Sequence, residues 1–197
     1  VIGTLLALRA RNLEIEGKGQ LVDVALYESV FSLLEGILPE YDLTGIVRER
    51  TGSTLPGIAP SNTYKCADGK HVVIGGNGDK IFQRLMVAIG REELASDPRF
   101  STNQGRADNA EYIDSEIENW TKTLTLKEVQ ELLDQASVPV GPIYGIKEIV
   151  EDEHYKARGM LQEVELPDGM KVLVPGVVPK LSETPGTIEW NGPSLGE

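Results

Sequence analysis

The spacing of hydrophobic residues predicts a strand–turn–strand–helix unit in the middle of the chain. Two apolar runs, 64–66 and 71–74, flank the tetrapeptide Ala67-Asp68-Gly69-Lys70. Asp-Gly between two strand-forming runs is a strong signal of a hairpin turn. Beyond a glycine-rich corner, apolar residues recur on one helical face, which predicts a helix that ends at Gly90. These residues are Ile81, Phe82, Leu85, Met86 and Ile89.

The residues that follow predict further helices and a second hairpin. Apolar positions recur at helical spacing over 109–124, and Thr125 can cap another helix together with Glu128. The segment 137–143 contains two prolines, so we expect an edge strand or an extended segment there. After a short helix beginning at Ile146, two strand-like runs flank Pro167-Asp168-Gly169-Met170, which again indicates a hairpin turn.

The beginning of the chain predicts a helix, a strand and a second helix in quick succession. We expect residues 1–11 to form a largely buried helix, residues 20–26 a strand, and residues 27–34 the next helix. This order is typical of a layered α/β domain. One strand cannot form a sheet alone, so we expect the segment to be the end of a larger domain. The initial Val1 suggests a cut rather than a native start.

A segment rich in glycine and proline, 39–61, separates these regions and predicts an irregular connection. Two interpretations are open. The segment is either a linker between domains or a loop that covers a ligand. In the second case Arg48 and Arg50 could bind a phosphate, and Thr51-Gly52-Ser53 would allow a close approach of the backbone.

Composition narrows the class of protein. The 197 residues are 40% hydrophobic and 25% charged, which is typical of a globular protein with a substantial core and up to two domains. No apolar run approaches the ~20 residues of a membrane-spanning helix, so we expect no membrane insertion. A net charge of -12 disfavours nucleic-acid binding, which depends on clustered lysine and arginine. The single cysteine cannot form an internal disulfide, which favours the cytoplasm.

The candidate side chains do not assemble into a complete active site. The corner 75–80 resembles an anion-binding loop, and its alternative is a tight turn in which Asn77 or Asp79 caps the next helix. Asp23 lies within an apolar run, where a hydrogen-bonded carboxylate at a strand end is favoured over a catalytic one.

Cysteine and histidine chemistry is not favoured either. Cys66 lies in a predicted strand without a neighbouring basic cluster, which indicates a buried thiol rather than a nucleophile. His71 and His154 are far apart in the sequence and have no ligand at metal-binding spacing, so we expect no metal site.

Several motifs, taken together and in order, resemble the class III CoA-transferase family. This family includes formyl-CoA transferases, L-carnitine CoA-transferases and alpha-methylacyl-CoA racemases. The motifs are 17–28, 59–69, Asp97-Pro98-Arg99-Phe100 with Asn103 and Arg106, 138–142, Ala157-Arg158-Gly159-Met160 and 192–197.

The resemblance implies an α/β fold: a small α+β domain together with part of a Rossmann-like large domain that binds CoA. It places the end of the large domain at 1–45, a linker at 46–59, the small domain at 60–150 and strands that return to the large domain at 151–197. It also implies an interlocked homodimer.

The resemblance further implies that CoA moves from an acyl-CoA to a carboxylic acid through a covalent aspartyl intermediate, without a metal. The attacking aspartate lies upstream of the helix that opens this chain, so no catalytic residue is expected within it. Gly52 and Gly57 correspond to a glycine-containing loop that covers the substrate.

Two alternatives stay open. One is an acyl-CoA racemase of the same fold, whose proton-transfer residues would also lie upstream. The other is an inactive fragment that serves as a binding or assembly module. We expect that this chain alone does not transfer CoA, and that its open apolar faces cause dimerisation or poor solubility.

Overall fold

The computed structural model describes residues 1–13, 17–190, 192–193 and 196. The chain divides into two compact units, Val1–Arg50 and Thr51–Glu197. Three residues of the predicted C-terminal motif, Ser194, Leu195 and Glu197, lie outside the described part. The domain boundaries at 45, 59 and 150 stay a prediction.

The described part of the first unit is helical. It contains α1 (Ile2–Leu13), α2 (Leu26–Phe31), a 3₁₀ turn (Ser32–Leu34) and α3 (Ile37–Thr44). The helices predicted at the chain start and after residue 26 are therefore confirmed. The strand predicted over 20–26 is wrong: residues 20–25 are irregular and α2 begins at Leu26. Branched side chains favour a strand only where a neighbouring strand accepts its backbone hydrogen bonds, and the described residues of this unit contain no such strand.

One further expectation about this unit is wrong, and another is only partly confirmed. Helix α1 is not buried, since Leu5 is 60% and Leu6 61% exposed. The irregular connection predicted over 39–61 is confirmed for 45–60 and wrong for 39–44, which belong to α3. The helix tolerates Pro39 because this residue lies in the first turn, where backbone N–H groups have no partner within the helix. Gly45 ends α3 with a φ of 72° and donates its N–H to the Tyr41 carbonyl at 2.8 Å.

The second unit contains a three-stranded antiparallel sheet in the order β1-β2-β3. Strand β1 is Ser61–Lys65, β2 is His71–Gly75 and β3 is Val140–Pro142. The register places Val72 opposite both Tyr64 and Pro142. The predicted central hairpin and the predicted edge strand are both confirmed.

The second predicted hairpin is also confirmed, and its turn matches that of the first. Strands β4 (Leu161–Glu165) and β5 (Lys171–Pro175) form a separate two-stranded sheet. In the two turns Gly69 and Gly169 adopt φ values of 78° and 83°. The preceding aspartates each accept a backbone N–H two residues on, Asp68 from Lys70 at 3.2 Å and Asp168 from Met170 at 3.0 Å.

The helices of the second unit occupy predicted segments except over 103–107 and 153–157, where no helix was predicted. They are α4 (Asp79–Ala88), α5 (Glu92–Ala95), α6 (Asn103–Ala107), α7 (Ala110–Thr121), α8 (Leu126–Gln135), α9 (Ile146–Glu151) and α10 (Glu153–Ala157), with a 3₁₀ turn at Pro98–Phe100. The capping box of α8 is present: Thr125 accepts the backbone N–H of Glu128, and the Glu128 carboxylate accepts that of Thr125 at 2.8 Å.

The core of the second unit lies between the three-stranded sheet and helices α4, α7 and α8. Its fully buried side chains include Val72 and Ile74 of β2, Phe82, Leu85 and Met86 of α4, Ile113 and Ile117 of α7, and Val129 and Leu133 of α8. These are the positions that strand alternation and helical spacing place on one face. Within the described ranges, no helix has the length and apolar character needed to cross a lipid bilayer.

Candidate functional site

The predicted site residues Gly52 and Gly57 lie on one exposed loop, residues 51–58, which we call the glycine loop. Both adopt positive φ values, 65° and 77°, a conformation that favours glycine. The loop has internal hydrogen bonds: the Thr51 hydroxyl donates to the Thr54 carbonyl at 2.9 Å, and the Thr54 hydroxyl donates to the Thr51 carbonyl at 2.7 Å. The glycine loop therefore has a defined conformation despite its exposure.

Asn103, the first residue of α6, binds the end of the glycine loop. Its Nδ2 donates to the Gly57 carbonyl at 2.7 Å, and its Oδ1 accepts the Ala59 N–H at 3.3 Å. The two contacts lie on either side of Ile58, so one side chain fixes both flanking peptides. Asn103 belongs to one of the motifs of the family resemblance, but the sequence did not predict that it binds the glycine loop. Its partners, Gly57 and Ala59, are more than 40 residues away in the chain.

Arg106, one turn further along α6, is completely buried beneath the same region. Its guanidinium donates to the carbonyls of Ala59 at 3.0 Å, Phe100 at 2.9 Å and Asn77 at 2.6 Å. It also donates to the Asp79 carboxylate at 2.9 Å. Arg106 thus joins the exit of the glycine loop to the corner that precedes α4.

The contacts of Arg106 with Asn77 and Asp79 determine the structure of the glycine-rich corner 75–80. The predicted cap by Asn77 or Asp79 is wrong: Gly78 holds the N-cap position and no side chain caps α4. Asp79 is the first residue of α4, one position past the N-cap, and its carboxylate binds Arg106. The corner thus presents a carbonyl and a carboxylate to Arg106.

A chain of polar side chains holds the other end of the glycine loop. Ser53 donates its hydroxyl to Asn62 Oδ1, and Asn62 Nδ2 donates to Asp114 at 2.9 Å. Asp114 also accepts the Tyr64 hydroxyl at 2.6 Å. Burial, reinforced by the neighbouring Asp114 carboxylate, raises the pKa of the Tyr64 phenol well above its ordinary value, so the phenol stays a donor.

A cavity of about 210 Å³ lies between the glycine loop and helices α6 and α7. Its lining includes Thr54–Ala59 on one side and Ala107, Ala110, Glu111 and Asp114 on the other. This volume is below the ~300–1,000 Å³ of pockets that enclose whole ligands. The cavity therefore separates the middle of the glycine loop from the helices, while the two ends of the loop are bound.

The remaining candidates do not join this site. Arg48 forms an ion pair with Glu40, whose hydrogen bond to Arg48 lowers the pKa of the Glu40 carboxyl. Asp23 is exposed and outside any strand, so the expectation of a hydrogen-bonded carboxylate at a strand end is wrong, because the strand itself does not form. Cys66 is buried directly after β1, and burial raises the pKa of its thiol, which confirms the expectation of a buried thiol.

The histidines also lie apart in the fold, His71 on β2 and His154 on α10. Across the residues that the structure describes, no group of three or more histidine, cysteine, aspartate or glutamate side chains could hold a metal ion.

Comparison with known proteins gives the context of this site. All 197 residues match the profile of CoA-transferase family III. The chain is 46% identical over 196 residues to the succinyl-CoA–D-citramalate CoA-transferase of Chloroflexus aurantiacus, covering 100% of this chain and 48% of that protein. It is 34% identical over 215 residues to the formyl-CoA:oxalate CoA-transferase of Streptomyces coelicolor, covering 100% and 51% respectively.

Solved structures agree with this result. A CAIB/BAIF family protein from Brucella suis is similar with a TM-score of 0.75 and 30% identity, over 98% of this chain and 48% of that one. A Mycobacterium tuberculosis protein in an orthorhombic crystal form shares the fold, with a TM-score of 0.77 at 21% identity over 95% and 48% of the two chains. The predicted fold class is confirmed, and the chain spans about half the length of the curated relatives it matches. These 197 residues belong to CoA-transferase family III.

Proposed function

We propose that this chain forms part of an enzyme that transfers CoA from an acyl-CoA to a carboxylic acid. The observation that supports the proposal is the family match over residues 1–197, with 46% identity to a curated CoA-transferase. We infer from the family resemblance that the attacking aspartate lies outside these residues. The contribution of this chain is then structural: its second unit positions the glycine loop, which covers the substrate.

The transfer proceeds through intermediates that water could destroy. The aspartate attacks the thioester carbonyl, the C–S bond breaks, and CoA thiolate leaves a mixed anhydride. The thiolate then attacks the aspartyl carbonyl, which releases the first acid and gives an aspartyl-CoA thioester. The acceptor carboxylate repeats these two steps in reverse and departs as the new CoA ester. A covering loop protects both intermediates because it excludes water from the site.

We propose succinyl-CoA as the CoA donor and a dicarboxylic acid of four or five carbons as the acceptor. The relatives named for succinyl-CoA with D-citramalate or L-malate are 40% to 46% identical to this chain. The two named for formyl-CoA and oxalate are 34% and 35% identical. Sequence similarity therefore favours the larger diacid.

We also propose that the whole enzyme is a cytoplasmic homodimer. Two relatives are named as the alpha and the beta subunit of a transferase, which supports assembly from more than one chain of this fold. Large apolar side chains of the first unit, such as Leu26 and Leu33, are 88% and 76% exposed, and an interface would cover surfaces of this kind. The molar mass of the native enzyme in solution tests the dimer.

The experiment that tests the function begins with the intact mass of the protein isolated from cells. We expect about twice the 21.5 kDa of this chain. That protein is then incubated with succinyl-CoA and either D-citramalate, L-malate or oxalate, and new CoA esters are identified by mass spectrometry. We expect esters of the first two acids, and none when the 197-residue chain replaces the whole protein.

Three results would contradict the proposal in different ways. Failure of all three acids to receive CoA would contradict the transferase function. Exchange of an α-hydrogen of the acyl group without CoA transfer would indicate a racemase of the same fold. Transfer by the 197-residue chain alone would show that the attacking carboxylate lies within it.

A further inference from the structure

We infer that Asn103 is a positioning residue for CoA transfer, which acts by holding the glycine loop closed against water. The inference rests on the proposed function, because it needs an acyl intermediate for the loop to protect. Asn103 itself is not placed in contact with substrate. Its action is exerted through the backbone of Gly57 and Ala59.

The first step of the argument is that Asn103 stands on a rigid base. Thr102 caps α6 by accepting the Gly105 N–H at 3.2 Å. A Cβ at Gly105 would lie 2.0 Å from the Arg99 carbonyl oxygen, so this turn of α6 is in direct contact with the preceding 3₁₀ turn. Buried Arg106 follows on the same helix. The backbone that presents Asn103 is therefore fixed mainly by contacts outside the glycine loop, with the 3₁₀ turn and with the corner 75–80.

The second step is the geometry of the side chain. A carboxamide has one donor and one acceptor group, like a peptide, and Asn103 uses both on the two peptides that flank Ile58. The carbonyl of Ala59 is bound separately by Arg106. Gly57, which has a positive φ, is held by Asn103 just where the glycine loop ends. Asn103 thus fixes the direction in which the chain leaves the glycine loop towards β1.

The third step concerns the span between the two bound ends. Ser53 is bound to Asn62 at one end, and Gly57 to Asn103 at the other. Thr54, Leu55 and Pro56 lie between them over the 210 Å³ cavity. Loss of the Asn103 amide would free the Gly57 end of this stretch and leave Arg106 at the Ala59 carbonyl as the next contact, with space beneath the stretch into which it could move.

The consequence for the reaction is a change in the fate of the intermediates. When water replaces the acceptor acid, the aspartyl-CoA thioester gives free CoA thiol and the regenerated carboxylate, with water supplying the hydroxyl and the proton. The ratio of free CoA thiol to transferred CoA therefore measures how well the glycine loop excludes water. Loss of folded enzyme alone lowers both products together and leaves this ratio unchanged.

The experiment compares Asn103→Ala and Asn103→Asp with Gln104→Ala in the whole enzyme. Gln104 is the matched control: it is adjacent and exposed, and its amide donates to Asp108, the residue that follows α6. Free thiol is measured with a thiol reagent, and the new CoA ester by chromatography. We expect the thiol-to-ester ratio to rise about tenfold in Asn103→Ala, the effect of losing one to two hydrogen bonds, and to stay at the wild-type value in Gln104→Ala.

Asn103→Asp preserves size and the acceptor for the Ala59 N–H but places a carboxylate oxygen against the Gly57 carbonyl. We expect a ratio at least as high as in Asn103→Ala, so this variant decides the matter if the alanine protein does not fold. A wild-type ratio in folded Asn103 variants would overturn the inference. A wild-type enzyme that transfers no CoA would instead overturn the proposed function. In that case the contact between Asn103 and the loop is tested by amide hydrogen exchange, which should be faster at Ile58 and Ala59 in the Asn103 variants than in wild type.

Discussion

Arg106 is a cation without solvent exposure whose partners are mainly neutral. Of the groups that it binds, three are backbone carbonyls and one is the carboxylate of Asp79, which is itself 65% exposed. Its guanidinium also lies 5.1 Å from the centre of the Phe82 ring. The planar arrangement of its N–H groups is what allows one side chain to reach acceptors in several directions.

The same substitution should therefore have different effects at two arginines. We expect Arg106→Lys to lower the free energy of unfolding by about 3 kcal/mol, because an ammonium group cannot reach all four acceptors and leaves buried carbonyls unpaired. Arg99→Lys is the control: that side chain is 65% exposed and binds Asp97 two residues away, so we expect a change within about 0.5 kcal/mol. Urea unfolding measures both, and equal losses would refute this account of Arg106.

Tyr64 should make stability depend on alkaline pH. Its raised phenol pKa stabilises the fold fully below the ordinary tyrosine pKa of 10.0, and this stabilisation is lost as the pH rises from there towards the folded-state pKa. We expect Tyr64→Phe to be about 1–2 kcal/mol less stable than wild type at neutral pH, since it removes a bond to a carboxylate, and the difference to shrink as the pH rises above 10.0. Urea unfolding across this range checks it. In Tyr27→Phe, where the ring is 75% exposed, no such trend should appear.

At the scale of elements, the correct predictions are those that depend on residues close together in the sequence. Both hairpins follow from an Asp-Gly turn, and α8 follows from a capping box whose members are three residues apart. The strand predicted over 20–26 is wrong because strand formation depends on a partner strand that local composition does not specify. The contacts that hold the glycine loop could not be predicted for the same reason. Asn103 and Arg106 bind backbone groups that only the tertiary fold brings near.

The capping box of α8 gives a test at this scale. We expect Thr125→Ala to lower the free energy of unfolding by about 1 kcal/mol, because the first turn of α8 loses the acceptor for the Glu128 N–H. Thr123→Ala is a matched control, as its exposed hydroxyl only donates to the Trp120 carbonyl, and we expect a smaller loss. Thermal unfolding measures both variants. A loss at Thr123 equal to that at Thr125 would contradict a specific role for the cap.

At the scale of the molecule, the two units differ in how much they bury. The second unit has a core of fully buried side chains. In the first unit none of the described residues, 1–13 and 17–50, is buried. Burial of apolar surface is the main favourable term that offsets the entropy lost on folding, so stability cannot be uniform along the chain.

This difference predicts the pattern of amide hydrogen exchange in the 197-residue chain. We expect amides of α1, α2 and α3 to exchange within seconds to minutes, and those of β2, α7 and α8 to be protected at least about a hundredfold longer, because only the latter need core opening to exchange. Mass spectrometry of peptides from the labelled chain measures both sets. Equal protection in the two units would refute the prediction.

The burial of Cys66 has a practical consequence for spectroscopy. It is the one cysteine of the chain, and both its burial and its raised thiol pKa keep it from reacting with maleimides. In the 197-residue chain, cysteines introduced on the surface would therefore take up the label without any need to remove the native one. Met170, 53% exposed in the β4–β5 turn, is suitable for a reference fluorophore, and exposed Leu55 of the glycine loop for a second. Such a labelled pair would allow opening of the loop to be followed by energy transfer in real time.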